Sequence, residues 1–199
     1  MSFVKTWCAL LSVCLLSGSE TLLAASSYVL DSENSSLYFV STKNTHVAES
    51  HFFTDLSGAI SDNGQAELII NLSSVETGID LRNQRVRDNL FVVDTFGQAT
   101  VTLPVSVDSL ATQTIGSSIT QAISAILDLH GIVANVNAEV IVTKLSDTEI
   151  MVQNANPILI SAQDYSLTSG IDTLRALANL NVISYTVPVN FTLLFSAQQ

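Results

Sequence analysis

Hydrophobic and polar residues alternate along much of the chain with a period of two, which is typical of half-buried β-strands. In Tyr185–Phe195 the odd positions are apolar and most even positions are polar. The same alternation runs through Ile119–Leu129 and returns in Ile132–Lys144, and the intervening His130-Gly131 pair is typical of a turn. These patterns predict a long strand near the C-terminus and a β-hairpin in the middle of the chain.

Shorter alternating segments fill most of the remaining chain, and turn residues such as Asp62-Asn63-Gly64, Ser146-Asp147 and Asn156-Pro157 separate several of them. We predict further strands at Ser36–Thr42, Val47–Phe53, Ser57–Ser61, Gln65–Leu72, Ala99–Val107, Glu149–Gln153 and Ile158–Ala162. Pro188 has no backbone N–H and predicts an edge or bulge in the last strand. About eight to ten strands without an internal repeat or linker predict one antiparallel barrel or sandwich.

Two stretches depart from the period of two and predict short helices. The first, Ile79–Leu90, has Ile79, Val86 and Leu90 at helical spacing. The second, Asp172–Leu180, has Leu174, Leu177 and Ala178 behind Asp172, which we interpret as the N-cap. The fold class predicted from the pattern is therefore all-β, with one or two short helices.

The first 25 residues differ from the rest and predict a secretory signal peptide. Lys5 precedes an apolar run of roughly ten residues, short of the ~20 that a membrane-spanning helix needs. Ala24 and Ala25 are small residues of the kind that signal peptidase accepts, so we expect cleavage near Ala25 and a periplasmic mature protein of residues 26–199. Both cysteines, Cys8 and Cys14, leave with this segment, which excludes disulfides and cysteine chemistry. A retained membrane anchor is the alternative.

The chain is acidic, and its charge excludes two classes of partner. It has 7 Lys and Arg against 18 Asp and Glu, a formal net charge of −11. Nucleic acid and anionic membrane surfaces repel such a protein. With 47% hydrophobic residues the chain has ample material for one core. We expect no stable membrane insertion, and either a monomer or a homodimer.

No spacing of residues in the chain indicates catalysis, a cofactor or a metal. The motifs of hydrolytic serine, zincin and nucleotide-binding sites are absent from the sequence. His46 and His51 lie five apart, so in a strand they point to opposite faces and do not share a metal. We therefore predict a protein that is not an enzyme and has no cofactor other than a bound ligand. A hydrolase with an unrecognised site is a minor alternative.

The order of several segments resembles the YceI-like family. The chain opens with Tyr28-Val29-Leu30-Asp31, continues with a hairpin motif at Phe53–Ile60 and then has Ser74-Val75-Glu76-Thr77. The segment Arg82–Phe91 is similar to the arginine-containing helix of the family, and Leu127–Val133 to a later hairpin. The resemblance implies an exported, lipocalin-like barrel of about eight strands that binds a polyisoprenoid lipid, of ubiquinone or polyprenyl phosphate type, for storage or transport.

If the barrel is hollow, its apolar inner face suits an isoprenoid chain, whose affinity grows with the apolar area removed from water. We expect the cavity wall to include apolar residues of strands and helices, namely Phe39, Leu68, Leu90, Phe91, Leu127, Val140, Leu177 and Phe191. The alternative is that these side chains fill a solid core. The protein would then be an exported interaction or adhesion module without a lipid.

The helix Ile79–Leu90 contains three of the seven basic residues of the chain. We expect this helix to cross one opening of the barrel with Val86 and Leu90 inward. Arg82 or Arg87 would then contact the lipid head through its guanidinium group. The alternative is that Arg82, Arg85 and Arg87 form surface pairs with Glu76, Asp80 or Asp88, which would contribute little to stability.

Overall fold

The structure, a computed structural model, describes residues 28–198, so the predicted signal peptide lies outside the described residues. The described chain forms one antiparallel sheet that closes on itself. Its strands are β1 (Tyr28–Lys43), β2 (Val47–Phe53), β3 (Leu56–Ile60), β4 (Gln65–Asn71), β5 (Val75–Glu76), β6 (Gln98–Pro104), β7 (Ser118–Leu129), β8 (Ile132–Lys144), β9 (Glu149–Asn154), β10 (Ile158–Ser161) and β11 (Thr186–Ala197).

The sheet is a barrel of eight strands with extra strand segments. Around the ring the order is β1, β3, β4, β6, β7, β8, β9 and β11, and β11 pairs with β1 to close it. The short strands β2, β5 and β10 continue β3, β4 and β9 past interruptions. Neighbours in the ring are consecutive in the chain, so this is an up-and-down barrel, and the predicted fold class is confirmed.

A bulge in β1 decides which of its side chains face the interior. Asp31 is opposite Leu194 and Ser36 is opposite Thr192, so β1 has three more residues than β11 between these pairs. An odd number of extra residues reverses the alternation. Tyr28 and Leu30 are buried before the bulge and Leu37 after it. The Asp31 carboxylate accepts hydrogen bonds from the backbone N–H groups of residues 33 and 34 and holds the bulge.

We call the end of the barrel at which β1 finishes the upper end, and the end at which β1 begins the lower end. At the upper end lie helix α1 (Asp80–Arg85), a π-helical turn (Val86–Phe91) and helix α3 (Thr168–Leu177), which contacts the π-helical turn. At the lower end lies helix α2 (Val107–Thr112), between β6 and β7.

Two details differ from the pattern-based predictions. The strand predicted at Ala99–Val107 finishes at Pro104, and the Ser106 side chain caps helix α2, which begins at Val107. Helix α3 begins at Thr168, so Asp172 lies within the helix and is not its N-cap. Asp172 instead accepts a hydrogen bond from the hydroxyl of Tyr185 at 3.0 Å.

The structure contains the turn predicted at His130-Gly131 and the strand edge predicted at Pro188. His130 and Gly131 both have positive φ, 56° and 74°, as a two-residue hairpin turn between strands of right-handed twist requires. Pro188 pairs with Leu159 of β10, while the ladder between β11 and β1 stops at Val189. Pro188 therefore lies at a local edge, where its missing N–H removes no bond to β1.

The close approach of α3 to the π-helical turn gives a stability prediction at Gly170. A Cβ atom on Gly170 would lie 2.6 Å from the backbone oxygen of Asn89 and 2.8 Å from Cα of Leu90. Alanine normally stabilises a helix by about 1 kcal/mol relative to glycine. We expect Gly170→Ala instead to lower the free energy of unfolding by roughly 1–3 kcal/mol through overpacking. Urea denaturation measures this change.

The control for this prediction is Ser169→Ala, the exposed neighbouring position in the same helix. Its free energy of unfolding should stay within about 0.5 kcal/mol of the wild-type value. A Gly170→Ala protein as stable as the wild type would contradict the packing described here.

Candidate functional site

The barrel encloses a cavity of about 340 Å³, within the size range of small-molecule sites. Alternate residues of the strands form its wall, as the period of two requires. On β11, for example, Val187, Val189, Phe191, Leu193 and Phe195 all line it. The wall is almost entirely aliphatic and aromatic. The cavity therefore offers an apolar chain an environment that excludes water.

Most of the predicted wall residues do line this cavity. Those found on the wall are Phe39, Leu68, Leu90, Phe91, Leu127, Val140 and Phe191. Leu90 and Phe91 reach it from the π-helical turn at the upper end, and the others reach it from strands. Contact of these side chains with a lipid stays a prediction.

Leu177 was expected on the wall and does not line the cavity. It is 47% exposed, because α3 begins four residues earlier than predicted and presents a different face to the barrel. Leu167, the residue just before α3, and Ile171, within α3, both line the cavity. They are four residues apart and therefore lie on the same inward stripe of the helix. Leu177 follows six residues after Ile171 and lies off this stripe.

Val86, Arg82 and Arg87 are also outside the wall. Val86 is buried as expected, but it packs in the core beneath the helix. The guanidinium group of Arg82 is 2.7 Å from Glu49 and also donates to the backbone oxygen of Thr77. The alternative of surface pairs with Glu76, Asp80 or Asp88 is wrong for Arg82, since its partner Glu49 is on β2, 33 residues away in sequence. A contact of Arg82 or Arg87 with a lipid head stays a prediction.

Arg82 belongs to a polar cluster at the upper end of the barrel interior, formed with Ser41, Lys43, Glu49 and His51. The strand members share the inward faces of β1 and β2 with Phe39 and Phe53. His51 is opposite Phe39, and Ser41, Glu49 and Lys43 lie above this pair. Glu49 accepts a hydrogen bond from Lys43 at 2.7 Å as well as from Arg82. The cluster therefore joins α1, through Arg82, to the inward faces of β1 and β2.

His51 is the most buried member of the polar cluster, with 4% of its surface exposed. Its Nε2 atom is 2.8 Å from the Ser41 hydroxyl, its ring packs edge-on against Phe39, and its Nδ1 atom has no hydrogen-bond partner among the described residues. Burial, and then the charge of Arg82, lower the pKa of His51. The hydrogen bond from Lys43 lowers the pKa of Glu49. His51 is therefore neutral and Glu49 charged near neutral pH.

The barrel wall is interrupted between β8 and β10. β8 pairs with β9 only from Val140 to Lys144, and β10 pairs only with β11 among the described strands. The chain bends between β9 and β10, where the Asn154 side chain accepts the backbone N–H of Phe191 at 2.7 Å in place of a ladder bond. Half-buried wall residues flank this gap, namely Val136, Ala138, Ile158 and Ile160.

A second opening lies at the lower end, between β6 and β7. These strands pair over only three residues each, Thr100–Thr102 with Ile126–Asp128. Below this point α2 occupies the space between them and contributes Leu110, which is buried, to the wall. Along the inner face of β7, exposure rises from 4% at Ala125 to 38% at Ile119. Solvent therefore reaches the cavity near the start of β7, and we call this opening the lower mouth.

The polar residues of the lower mouth were not predicted from the sequence. Gln121 lies on the inward face of β7 between Ile119 and Ile123, and Ser106 and Ser109 reach the wall from α2. Gln121 could have been found from the sequence, because its amide stands at a position where the period of two requires an apolar residue. The serines gave no comparable signal, because Ser106 fell within the predicted strand Ala99–Val107 and Ser109 fell outside every predicted element.

The described residues hold no group of three or more His, Cys, Asp or Glu side chains that is arranged to bind a metal. Across residues 28–198, no helix combines the length and the hydrophobicity needed to span a bilayer.

Comparison with known families identifies the domain. The model of the YceI-like domain matches residues 28–195, which is nearly the whole described chain. A search of curated protein sequences found no match.

Solved structures give the same result. A polyisoprenoid binding domain from Saccharophagus degradans, described as implicated in plant cell wall breakdown, is 53% identical, with a TM-score of 0.85 over 86% of this chain and 98% of that one. BcnA from Burkholderia cenocepacia is 16% identical, with a TM-score of 0.62 over 83% and 98%. The YCEI protein of Campylobacter jejuni is 13% identical, with a TM-score of 0.54 over 75% and 84%. The last two show a shared fold.

The buried position of His51 gives a prediction about pH. Because the folded state lowers the pKa of His51, the unfolded state binds a proton first as the pH falls below about 6.5. Protonation then favours unfolding, so stability decreases from that pH downward. We expect His51→Gln to lose less stability than the wild type between pH 7.5 and pH 5. Urea denaturation midpoints at several pH values measure the difference.

His46→Gln is the matched control, since His46 is exposed in the turn between β1 and β2. This control should keep the wild-type decline in stability. If His51→Gln and the wild type decline in parallel, His51 is not the group responsible.

Proposed function

The chain belongs to the YceI-like domain family, and from this premise we propose that it is a non-catalytic binding protein for a long-chain isoprenoid lipid. The lipid chain occupies the barrel cavity. The wall residues that contact it include Phe39, Leu68, Leu90, Phe91, Leu127, Val140 and Phe191.

One observation carries this proposal: the interior of the barrel is a cavity with an apolar wall and an opening to solvent. A solid-core interaction module would fill this space, because protein interiors are normally close-packed. An empty apolar cavity instead forfeits dispersion contacts, which an apolar ligand restores. The 53% identical domain from Saccharophagus degradans, which is named as polyisoprenoid binding, supports the same class of ligand.

The free energy gained by burying an apolar chain is enough to explain binding in this cavity without a chemical reaction. Each CH₂ group removed from water contributes about 0.8 kcal/mol, so several prenyl units supply a large favourable term without any polar contact. Catalysis would require a nucleophile or an acid and base pair beside the bound chain. The wall groups capable of hydrogen bonding are few, and binding explains the site without a reaction.

We place the protein in the periplasm, where it would store or carry the lipid between membranes. The support is the sequence of residues 1–25, which has the pattern of a cleaved signal peptide. A soluble carrier shields a prenyl chain from water, and a barrel with an interrupted wall admits such a chain without global unfolding. A retained anchor would leave the same cavity but would fix the protein to one membrane.

Phe191→Asp tests the cavity directly. A carboxylate among apolar wall residues is costly to desolvate beside a lipid chain. We expect at least a tenfold loss of affinity for a prenyl lipid, measured by titration in native mass spectrometry. Thr192→Asp, which adds the same charge to the outward face of the same strand, should keep the wild-type affinity.

Ala138→Phe provides a second variant in case Phe191→Asp does not fold. It fills the cavity near the gap between β8 and β10 without adding a charge, and it should reduce lipid binding while the protein remains folded. Asn137→Phe, at the adjacent outward position, is its control. Unchanged lipid affinity in both folded wall variants would contradict a ligand in the cavity.

Organic extraction of the purified mature protein separates the rival functions. A co-purified prenyl lipid is expected if the protein is a carrier. Protein that is repeatedly free of lipid, and that binds no added prenyl chain, would favour an interaction module. Turnover of an ester or phosphoester substrate that is lost with a single side chain would favour a hydrolase.

A further inference from the structure

Few of the wall residues carry a polar side chain: they are Glu67, Ser106, Ser109, Gln121 and Tyr185. Glu67 alternates with the inward residues Ala66 and Leu68 of β4, so its side chain points away from the cavity. The Tyr185 hydroxyl donates to Asp172, whose hydrogen bond raises the pKa of that phenol. Ser106, Ser109 and Gln121 remain, and all three are at the lower mouth.

Gln121 is the exception on its strand face. The other inward positions of β7 are Ile119, Ile123, Ala125, Leu127 and Leu129, all of which line the cavity. Gln121 pairs across the hairpin with Val140, which is 2% exposed. An amide that projects from an otherwise aliphatic face can both donate and accept hydrogen bonds. It is therefore suited to a polar group that enters the cavity from the mouth.

The serines and this amide line the cavity at the same end of the barrel. The β6 to β7 ladder ends with Thr102 opposite Ile126, and the two strands separate below this pair. Ser106 and Ser109 follow the end of β6, and Gln121 lies near the start of β7, so all three are at the lower end. The Ser109 hydroxyl donates to the Ser106 hydroxyl at 2.8 Å, which leaves the hydrogen of the Ser106 hydroxyl available to an acceptor.

Helix α2 is held in place, so its serines form a fixed site. Lys144 on β8 donates from Nζ to the backbone oxygen of Ala111 at 2.6 Å. Gln113 donates to the backbone oxygens of Ser117 and Val142. These bonds connect the C-terminal end of α2 to the β7 and β8 hairpin.

The charge around the cavity indicates the kind of head that this site accepts. No Lys or Arg side chain lines the wall. Among the described residues, Lys43 and Arg82 are paired with Glu49, and Arg175 is paired with Asp172. Lys144 and Arg85 donate to backbone oxygens, and Arg87 lies in the π-helical turn at the opposite end from the mouth. A phosphate at the mouth would lose hydration without a basic partner, in a protein of net charge −11. The site thus favours an uncharged head.

We propose that the lower mouth is the head-group site, where Gln121 and the hydroxyls of Ser106 and Ser109 hydrogen-bond an uncharged hydroxyl or carbonyl group of the prenyl ligand. The chain then extends upward along β7 toward the cavity wall at Phe39 and Phe53. This inference rests on the proposed function and adds the location and the chemistry of the head.

The test compares three ligands of the same chain length: farnesol, farnesyl diphosphate and the hydrocarbon farnesene. Gln121→Leu should weaken binding of farnesol about fivefold, the usual effect of one lost hydrogen bond, and should leave binding of farnesene unchanged or stronger. Gln163→Leu, an exposed glutamine outside the cavity, is the matched control and should bind all three like the wild type. Ser109→Ala should also weaken farnesol selectively.

Each other outcome overturns a defined part of the inference. Equal affinity of the wild type and Gln121→Leu for farnesol, with farnesene still bound, would remove the head-group site and leave the lipid-binding function intact. Diphosphate binding as tight as farnesol binding would overturn the preference for an uncharged head. If none of the three ligands binds the wild type, the proposed function fails and this inference fails with it.

Discussion

The structure depends on the ladder between its first and last strands. β1 and β11 pair from Tyr28 with Ala197 to Phe39 with Val189, and this contact turns an open meander into a ring. An open sheet would expose two strand edges and would have no interior. Once the ring is closed, backbone groups bond within the sheet and the inward side chains are free to be apolar. The cavity is therefore a consequence of closure.

The two ends of the barrel serve different purposes because their chemistry differs. At the upper end the inward row of β1 passes from Phe39 to Ser41 and Lys43, and Glu49 holds the Lys43 and Arg82 charges together. Partly exposed ion pairs of this kind contribute little stability individually. Their effect is to place several mutually paired polar groups in the upper part of the interior, beside the unpartnered Nδ1 atom of His51. Strand pairing is interrupted elsewhere, at the lower mouth and at the gap between β8 and β10.

The sequence pattern predicts the strands well because inward and outward environments alternate with each residue. It fails where a contact joins distant segments or where the alternation is reversed. The pairing of Arg82 with Glu49 has no local signal, and the position of Leu177 depends on a helix start set by packing against the π-helical turn. The bulge at Asp31–Ser36 reverses the inward face of β1, which no simple period reveals. Gln121 interrupts the apolar face of β7, so it was detectable in the sequence as an exception to the period of two. Its place at the opening of the cavity depends on the fold and could not be predicted from that pattern.

Chain and head make unequal contributions to binding in a barrel of this kind. Each buried CH₂ group contributes about 0.8 kcal/mol, whereas a hydrogen bond contributes about 1 kcal/mol net after its exchange with water. A prenyl chain of several units therefore dominates affinity, and the head decides which prenyl lipid is retained. Neutral groups suffice for such a choice because a charged head lacks a basic partner on the wall. An acidic protein with an apolar cavity can in this way discriminate among lipids whose chains are identical.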